Sequence, residues 1–338
     1  MSEVFAYEDG SACGYYRIRL PFDEMRKHGV DVEYARGGGV PESARVVVGQ
    51  RVGGVGHEHD WLRVATKARL VYETDDDLWT IDPYNVRAAA HYTPSVLAAT
   101  EHVMRMARLV TVSTAYLAET LGRFNRNTVV LPNTIDAAML DLERPSRDRI
   151  VVGWAGGDSH HRDLADAAPH LRRFFARHPE VDLHTIGWGS HRSPADFPAH
   201  LRPYVRANPL HTMGVEYRHT YWQADPFDYY AGIDFDIGIA PLVANDFNRS
   251  KSAIKAMEYG ALGVPVVASD VGPYREYVRH GETGFLVRAP HEWGRYLHAL
   301  VSDEAMRTEM GAAARREAAK WTIQDLWPAW AAAYRSLL

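Results

Sequence analysis

The chain has 338 residues, 46% hydrophobic and 24% charged, with a formal net charge of −5; that is long for one core, suits two, and leaves no tract polar enough to stay disordered. The slightly acidic balance excludes a chain-wide nucleic-acid footprint, and the single Cys13 excludes an internal disulfide framework and fits a reducing compartment. The opening MSEVFAYEDG has no signal-like basic or apolar region, and nowhere do about 18 apolar residues run together, so a cytoplasmic location without a membrane span is expected.

Apolar runs alternate with helical patterns in a βα repeat, which predicts an α/β protein with mainly parallel sheets. The first strand, Glu3 to Tyr7, runs into SACGYYRIRLP. There Gly14 allows a tight strand-to-helix turn and Tyr15, Tyr16 and Arg17 can reach a cleft. A helix over Pro21 to His28 follows, then strands at Val30 to Tyr34, Arg45 to Val48 and Arg69 to Glu73. The last of these opens into VYETDDDLW, where Asp75, Asp76 and Asp77 stand at a strand's carboxyl end. Three adjacent carboxylates repel unless cations or hydroxyls relieve them, so in a cleft they suggest function; on a surface they form a solvated, capping turn. His91 precedes the helix Pro94 to Arg108 and is either a cleft residue or a structural histidine. Strands at Leu109 to Val112 and Thr128 to Leu131 complete a first domain over residues 1–143. The charged, Pro-containing run DLERPSRDR, 141–149, reads as a linker.

A second series spans 150–320, with strands at Ile150 to Trp154, Val181 to Ile186, Val215 to Tyr217, Asp234 to Ala240, Pro265 to Ala268 and Phe285 to Val287. The first leads into AGGDSHHRDL. Gly156 and Gly157 let backbone approach a ligand, Ser159 can cap a helix, and His160 and Arg162 stand at its start, where a phosphate can dock. His160 and His161 diverge as helix neighbours and make no metal pair. A single helix over Ser250 to Ala261 is predicted, with Lys251, Ser252 and Lys255 in its first turns and Glu258 two turns in. Its N-terminus favours a diphosphate, and Glu258 suits two ribose hydroxyls. The end, 321–338, is helical, anchored by Trp327, Trp330 and Tyr334, and either crosses back to the first domain or packs on its own. Two doubly wound domains facing a cleft result, with ligands expected beyond the strands' carboxyl ends.

Lys251 to Ser269, KSAIKAMEYGALGVPVVAS, resembles the donor-binding segment of GT-B glycosyltransferases of the large retaining group (family 4-like, glycosyl transferases group 1). The resemblance gives Glu258 the place of that group's ribose-binding glutamate. Eight residues earlier, where the group often carries a second glutamate, this chain has Ser250; Phe247-Asn248 and Lys251-Ser252 resemble one of the group's branches. The loops at Gly14 and Gly156, VTVST at Val110 to Thr114 and VLPNTID at Val130 to Asp136 are similar to the group's strand ends.

The resemblance implies transfer of a sugar from a nucleoside-diphosphate sugar, with retention, no cofactor and no essential metal. Donor-side residues would be Gly14, Tyr15, Arg17, Gly156, Gly157, Ser159, His160, Arg162, Asn248, Lys251, Ser252, Lys255 and Glu258; catalytic ones, Asp75, Asp76, Asp77 and His91. Asp75 and Asp77 also match the Asp-x-Asp spacing of metal-dependent transferases of the other main fold, which bind nucleotide in the first half and would leave the second-half segment unexplained. A nucleotide-sugar epimerase, or a non-catalytic sugar- or nucleic-acid-binding protein, suits the same fold. The acceptor stays open among a glycan, a small metabolite, a lipid-linked sugar and a modified nucleic-acid base, and the sequence fixes no oligomeric state.

Overall fold

A computed structural model describes residues 3–37, 39–55, 57–145, 147–187, 193–221, 223 and 225–338. The strands, in chain order, are β1 (Val4–Tyr7), β2 (Val32–Ala35), β3 (Val46–Gln50), β4 (Arg69–Thr74), β5 (Leu109–Val112), β6 (Thr128–Val130), β7 (Val151–Gly156), β8 (Asp182–Gly187), β9 (Tyr217–Tyr221), β10 (Ile237–Ala240), β11 (Val266–Ser269) and β12 (Gly284–Val287). They form two wholly parallel six-stranded sheets, ordered β2-β1-β3-β4-β5-β6 and β12-β11-β10-β7-β8-β9. Central strands such as Val46–Val48 and Val151–Val152 are apolar on both faces and wholly buried, as helix-covered parallel sheets require. The expected strands are all present, with the one placed at Val215 to Tyr217 lying slightly later, at Tyr217–Tyr221.

Chain direction across the sheet reverses between β1 and β3 in the first domain and between β7 and β10 in the second. Crevices at such switch points, beyond the strands' carboxyl ends, are where open α/β sheets bind ligands.

The helix Ile323–Arg335 packs on the first domain. Ile323, Trp330 and Tyr334 join the core formed by Val4, Phe22, Met25 and Val46, and Trp327 stacks on His28 at 4.2 Å. The linker is pinned as well as charged: Arg149 Nε lies 2.8 Å from Asp182 and Arg147 pairs with Asp234, while Ser146 lies outside the described residues. Among the described residues no helix is long and apolar enough to cross a membrane.

The predicted single helix Ser250 to Ala261 is two helices, Asp246–Ser250 and Ile254–Ala261. Ser250 Oγ donates to the Phe247 carbonyl at 2.7 Å, the kind of local bond that ends a helix, and Lys251 is extended at ψ 165°. Asn245 caps the first piece by accepting from Asn248 N at 2.8 Å, a start signal that lies before the stretch assigned to the helix. Lys251 and Ser252 therefore sit in the break between helices rather than in a first turn.

Candidate functional site

The break is where the first domain docks. Asp77 N donates to Ser250 Oγ at 3.3 Å, Thr114 Oγ1 to the Ser250 carbonyl at 2.9 Å, and Asn133 Nδ2 to Ser252 Oγ at 2.8 Å. At the other rim Arg162 pairs with Asp82 at 2.5 Å, Arg87 with Asp158 at 2.7 Å, and His161 stacks on Tyr84 at 5.2 Å. The two switch points thus face each other across a cleft with bridged edges.

The second-domain wall is built around Glu258. Glu258 is 3% exposed, its carboxyl accepts from the hydroxyls of Tyr16, across the cleft, and Tyr229, and burial pushes its pKa up to about 7 despite those bonds and Lys255. Tyr16 also meets Tyr230 Oη at 2.9 Å. One turn earlier Lys255 Nζ lies 3.0 Å from His160 Nε2. His160 Nδ1 lies 2.8 Å from Asp163 Oδ2, and burial followed by the Lys255 charge pulls the imidazole down to about 4. It is neutral at pH 7, and this network assigns its proton to Nδ1, facing Asp163, leaving Nε2 to accept from the ammonium. Asp163 and His160 therefore orient Lys255, whose own pKa burial lowers to about 8. Gly156 completes the arrangement by what it lacks, since a Cβ there would stand 3.0 Å from Lys255 Cε and 2.7 Å from the Trp154 ring.

Lys251 Nζ reaches across to Asp76 Oδ1 at 3.2 Å. Burial works against its charge, yet Asp76, with Cys13 and Asp75 nearby, holds its pKa above the ordinary value. Lys251 and Lys255 thus place two cations on the second domain, one reaching Asp76 and one His160.

The carboxylate triplet divides by role. Asp75 binds Arg51 at 2.9 Å, and although burial raises its pKa, Arg51 together with Cys13, Arg17 and Lys251 holds it below the ordinary value; Asp76 binds Lys251; Asp77 turns back to cap residues 78–80 by accepting from Trp79 N at 3.1 Å. Asp75 and Asp77 serve different partners and do not converge, and among the described residues no three His, Cys, Asp or Glu side chains gather as a metal site.

Other expected residues fall elsewhere. Arg17 is wholly buried: Glu73 Oε1 accepts its Nε at 2.7 Å, Asn133 Oδ1 its Nη1 at 2.9 Å, and its guanidinium lies 4.7 Å over Trp330. It ties β4 to the final helix, and burial with a bidentate carboxylate partner removes it from donor contact. Asn248 is 4% exposed and spends its amide on Asp163 Oδ1 and the Val243 carbonyl at 2.7 and 2.9 Å, holding the loop after β10. Arg162 is taken up by the rim pair. Ser159 lies in the turn 158–160 and does not cap the next helix. Gly157 is exposed with open space around it, and His91 is exposed beside Tyr92 at 4.7 Å. Gly14 packs on Glu8, which a Cβ would approach to 2.6 Å, and Tyr15 is wedged between the cores of both domains. Tyr16 follows in a π-helical turn, Tyr15–Arg19, a form frequent at functional sites. Asp163, Tyr229 and Tyr230 were missed, and no local spacing connects them to Glu258; Asp9 and Arg51, at strand ends, were open to detection by the strand-end rule.

Comparison with known proteins bears on the fold. The family model described as Glycosyl transferases group 1 matches residues 149–303. The D-inositol 3-phosphate glycosyltransferases of Corynebacterium diphtheriae and Corynebacterium glutamicum are 31% and 32% identical over 163 and 167 residues. Each match covers 48% of this chain, but 35% and 37% of the relatives, so the chain spans little more than a third of their length. Among solved structures, Anabaena HepE, in complex with UDP and glucose, superposes with a TM-score of 0.67 at 14% identity over 99% of this chain and 100% of that one. Sucrose-phosphate synthase from Thermosynechococcus elongatus gives 0.69 at 14% over 99% and 98%. At such identities the likeness shows the fold. The chain therefore has the GT-B glycosyltransferase fold, and its residues 149–303 match the Glycosyl transferases group 1 family model.

Proposed function

We propose that the chain is a glycosyltransferase taking a sugar from a nucleoside-diphosphate sugar bound at the second switch point and passing it to a hydroxyl on an acceptor at the first. The observation that carries this is the Glu258 and Lys255 pair on one helix. A buried carboxylate that accepts hydroxyl donors, here those of Tyr16 and Tyr229, stands one turn from an ammonium that His160 and Asp163 hold in place. In the reaction the bond from the anomeric carbon to the β-phosphate oxygen breaks and the diphosphate keeps the electron pair. The acceptor oxygen forms the new bond, and a proton is released. Lys251 and Lys255 counter the charge that develops, and the bridged cleft limits water and hence donor hydrolysis. Retention at the anomeric carbon follows the group this chain resembles. Turnover of donor to nucleoside diphosphate and glycosylated product, followed by chromatography over a panel of nucleotide sugars, tests the reading; donor binding without any turnover would leave a binding protein.

Because in this reading Lys251 and Lys255 supply the positive charge that meets the donor diphosphate, EDTA is expected to leave transfer largely intact. An activity lost to EDTA and restored by Mn²⁺ would sink that expectation. Asp76→Asn removes the carboxylate that faces Lys251, and since bonds to charged groups contribute about 1.5–3 kcal/mol, turnover should fall about tenfold or more while donor affinity changes less. Steady-state kinetics varying both substrates measures the split.

A further inference from the structure

The first switch point gathers its own cluster of polar side chains, of which only Asp76 and Lys251 also enter the donor reading. Asp9 follows β1, Gln50 and Arg51 end β3, and Asp75 and Asp76 end β4, three neighbouring strands in the sheet. Arg51 binds Asp75 at 2.9 Å and lies 3.5 Å from Asp9 Oδ2, and the Tyr92 hydroxyl bonds to it as well. Its backbone is left-handed at φ 50°, alone among the described non-glycine residues, a strain that persists only where the surroundings impose it. Gln50 is 2% exposed. Its Oε1 accepts from Asp9 N at 3.1 Å, which places the amide inside the cluster, and its Nε2 has no partner among the described residues.

The balance of these groups speaks to the ligand. Three carboxylates, Asp9, Asp75 and Asp76, meet two cations, Arg51 and Lys251, and both cations are already bound to carboxylates. Glu8, just behind, occupies Arg19 and Arg36 in the same way. A phosphate or carboxylate on the acceptor would have to displace one of these carboxylates and face the others. Hydroxyl groups need displace nothing: they donate to carboxylate oxygens and accept from guanidinium and amide N–H groups, and the partly buried Tyr92 offers a ring edge for a sugar or cyclitol face.

We propose that the acceptor is an uncharged polyhydroxy molecule, bound through its hydroxyls by Asp9, Gln50, Arg51 and Asp75. This rests on the glycosyltransferase reading and separates the chain from relatives whose name specifies a phosphorylated inositol.

The test uses the full chain saturated with UDP and two probe pairs, methyl α-glucoside against glucose 6-phosphate and myo-inositol against inositol 3-phosphate, followed by ligand-observed NMR. The neutral member of at least one pair is expected to bind at least tenfold more tightly than its phosphorylated partner. Arg51→Met should abolish that binding with UDP affinity unchanged, and Asp9→Asn, at a partly exposed site that folding tolerates, should narrow the discrimination several-fold. Phosphorylated probes binding as well as neutral ones, or no probe showing binding that depends on Arg51, overturns the proposal. Failure of UDP and every other nucleoside diphosphate to bind is a different result and overturns the glycosyltransferase reading instead.

Discussion

Glu258→Gln is expected to weaken donor binding about 10- to 150-fold while the protein still folds. The substitution keeps size and helix propensity, but it exchanges one acceptor oxygen for a donor and removes the charge. Glu258 receives hydroxyls from Tyr16 and Tyr229, and the proposed ribose would add its own. Bonds to charged groups contribute about 1.5–3 kcal/mol, and each 1.4 kcal/mol is tenfold in affinity. Acceptor affinity should barely move. Calorimetry with a nucleoside diphosphate decides it: a variant that binds as tightly as the parent chain would make Glu258 a structural residue that joins the domains through Tyr16. Stability offers a second readout. Burial raises the Glu258 pKa from 4.5 to about 7, so the folded state holds this proton more firmly than the unfolded one. The associated stability is fully present below pH 4.5 and is lost as pH rises through about 7. Thermal unfolding of Glu258→Gln should lose that slope.

Donor affinity should be greatest between about pH 7 and pH 8 and fall on both sides. The donor needs Glu258 ionised, which fails below its value of about 7, and Lys255 protonated, which fails above its value of about 8. Each limb reaches at most a tenfold change per pH unit, the slope of a single proton. Glu258→Gln should flatten the acid limb and Lys255→Met the alkaline one, the latter with an overall loss of about 10- to 150-fold from the missing charge-assisted contact to the diphosphate. His160→Gln should broaden the alkaline limb without removing it, because His160 orients Lys255 and does not itself carry charge near pH 7. A flat profile across pH 6 to 9 would show that neither group meets the donor.

The fold was readable because parallel sheets impose a local signature. Buried on both faces, central strands such as Val151–Gly156 must be apolar runs, each followed by a loop and a helix, so they lay in plain view, whereas the polar, largely exposed edge strand Tyr217–Tyr221 was placed only approximately. Glu258 and Lys255 were readable for a related reason. They share one short helix, whose 3.6-residue period sets their spacing before any tertiary contact forms. The helix break at Lys251 to Ala253 was not, since a Ser-rich stretch is compatible with a continuing helix until Thr114 and Asn133 of the other domain take up its polar groups.

Charge alone told little about partners. Arg17, His160 and Arg162 all stand beside glycine turns as phosphate-binding residues would, yet Glu73, Asp163 and Asp82, 56, 3 and 80 positions away, claim them. The sequence by itself determined the two βα series, the switch-point ends and the residues that share a helix, because each follows from short-range periodicity and strand burial. Only the tertiary structure decided which side chains meet across the cleft, which cations are already paired and what burial does to Glu258 and Lys255. Those properties depend on desolvation and on partners up to 242 residues apart, and no local pattern encodes either.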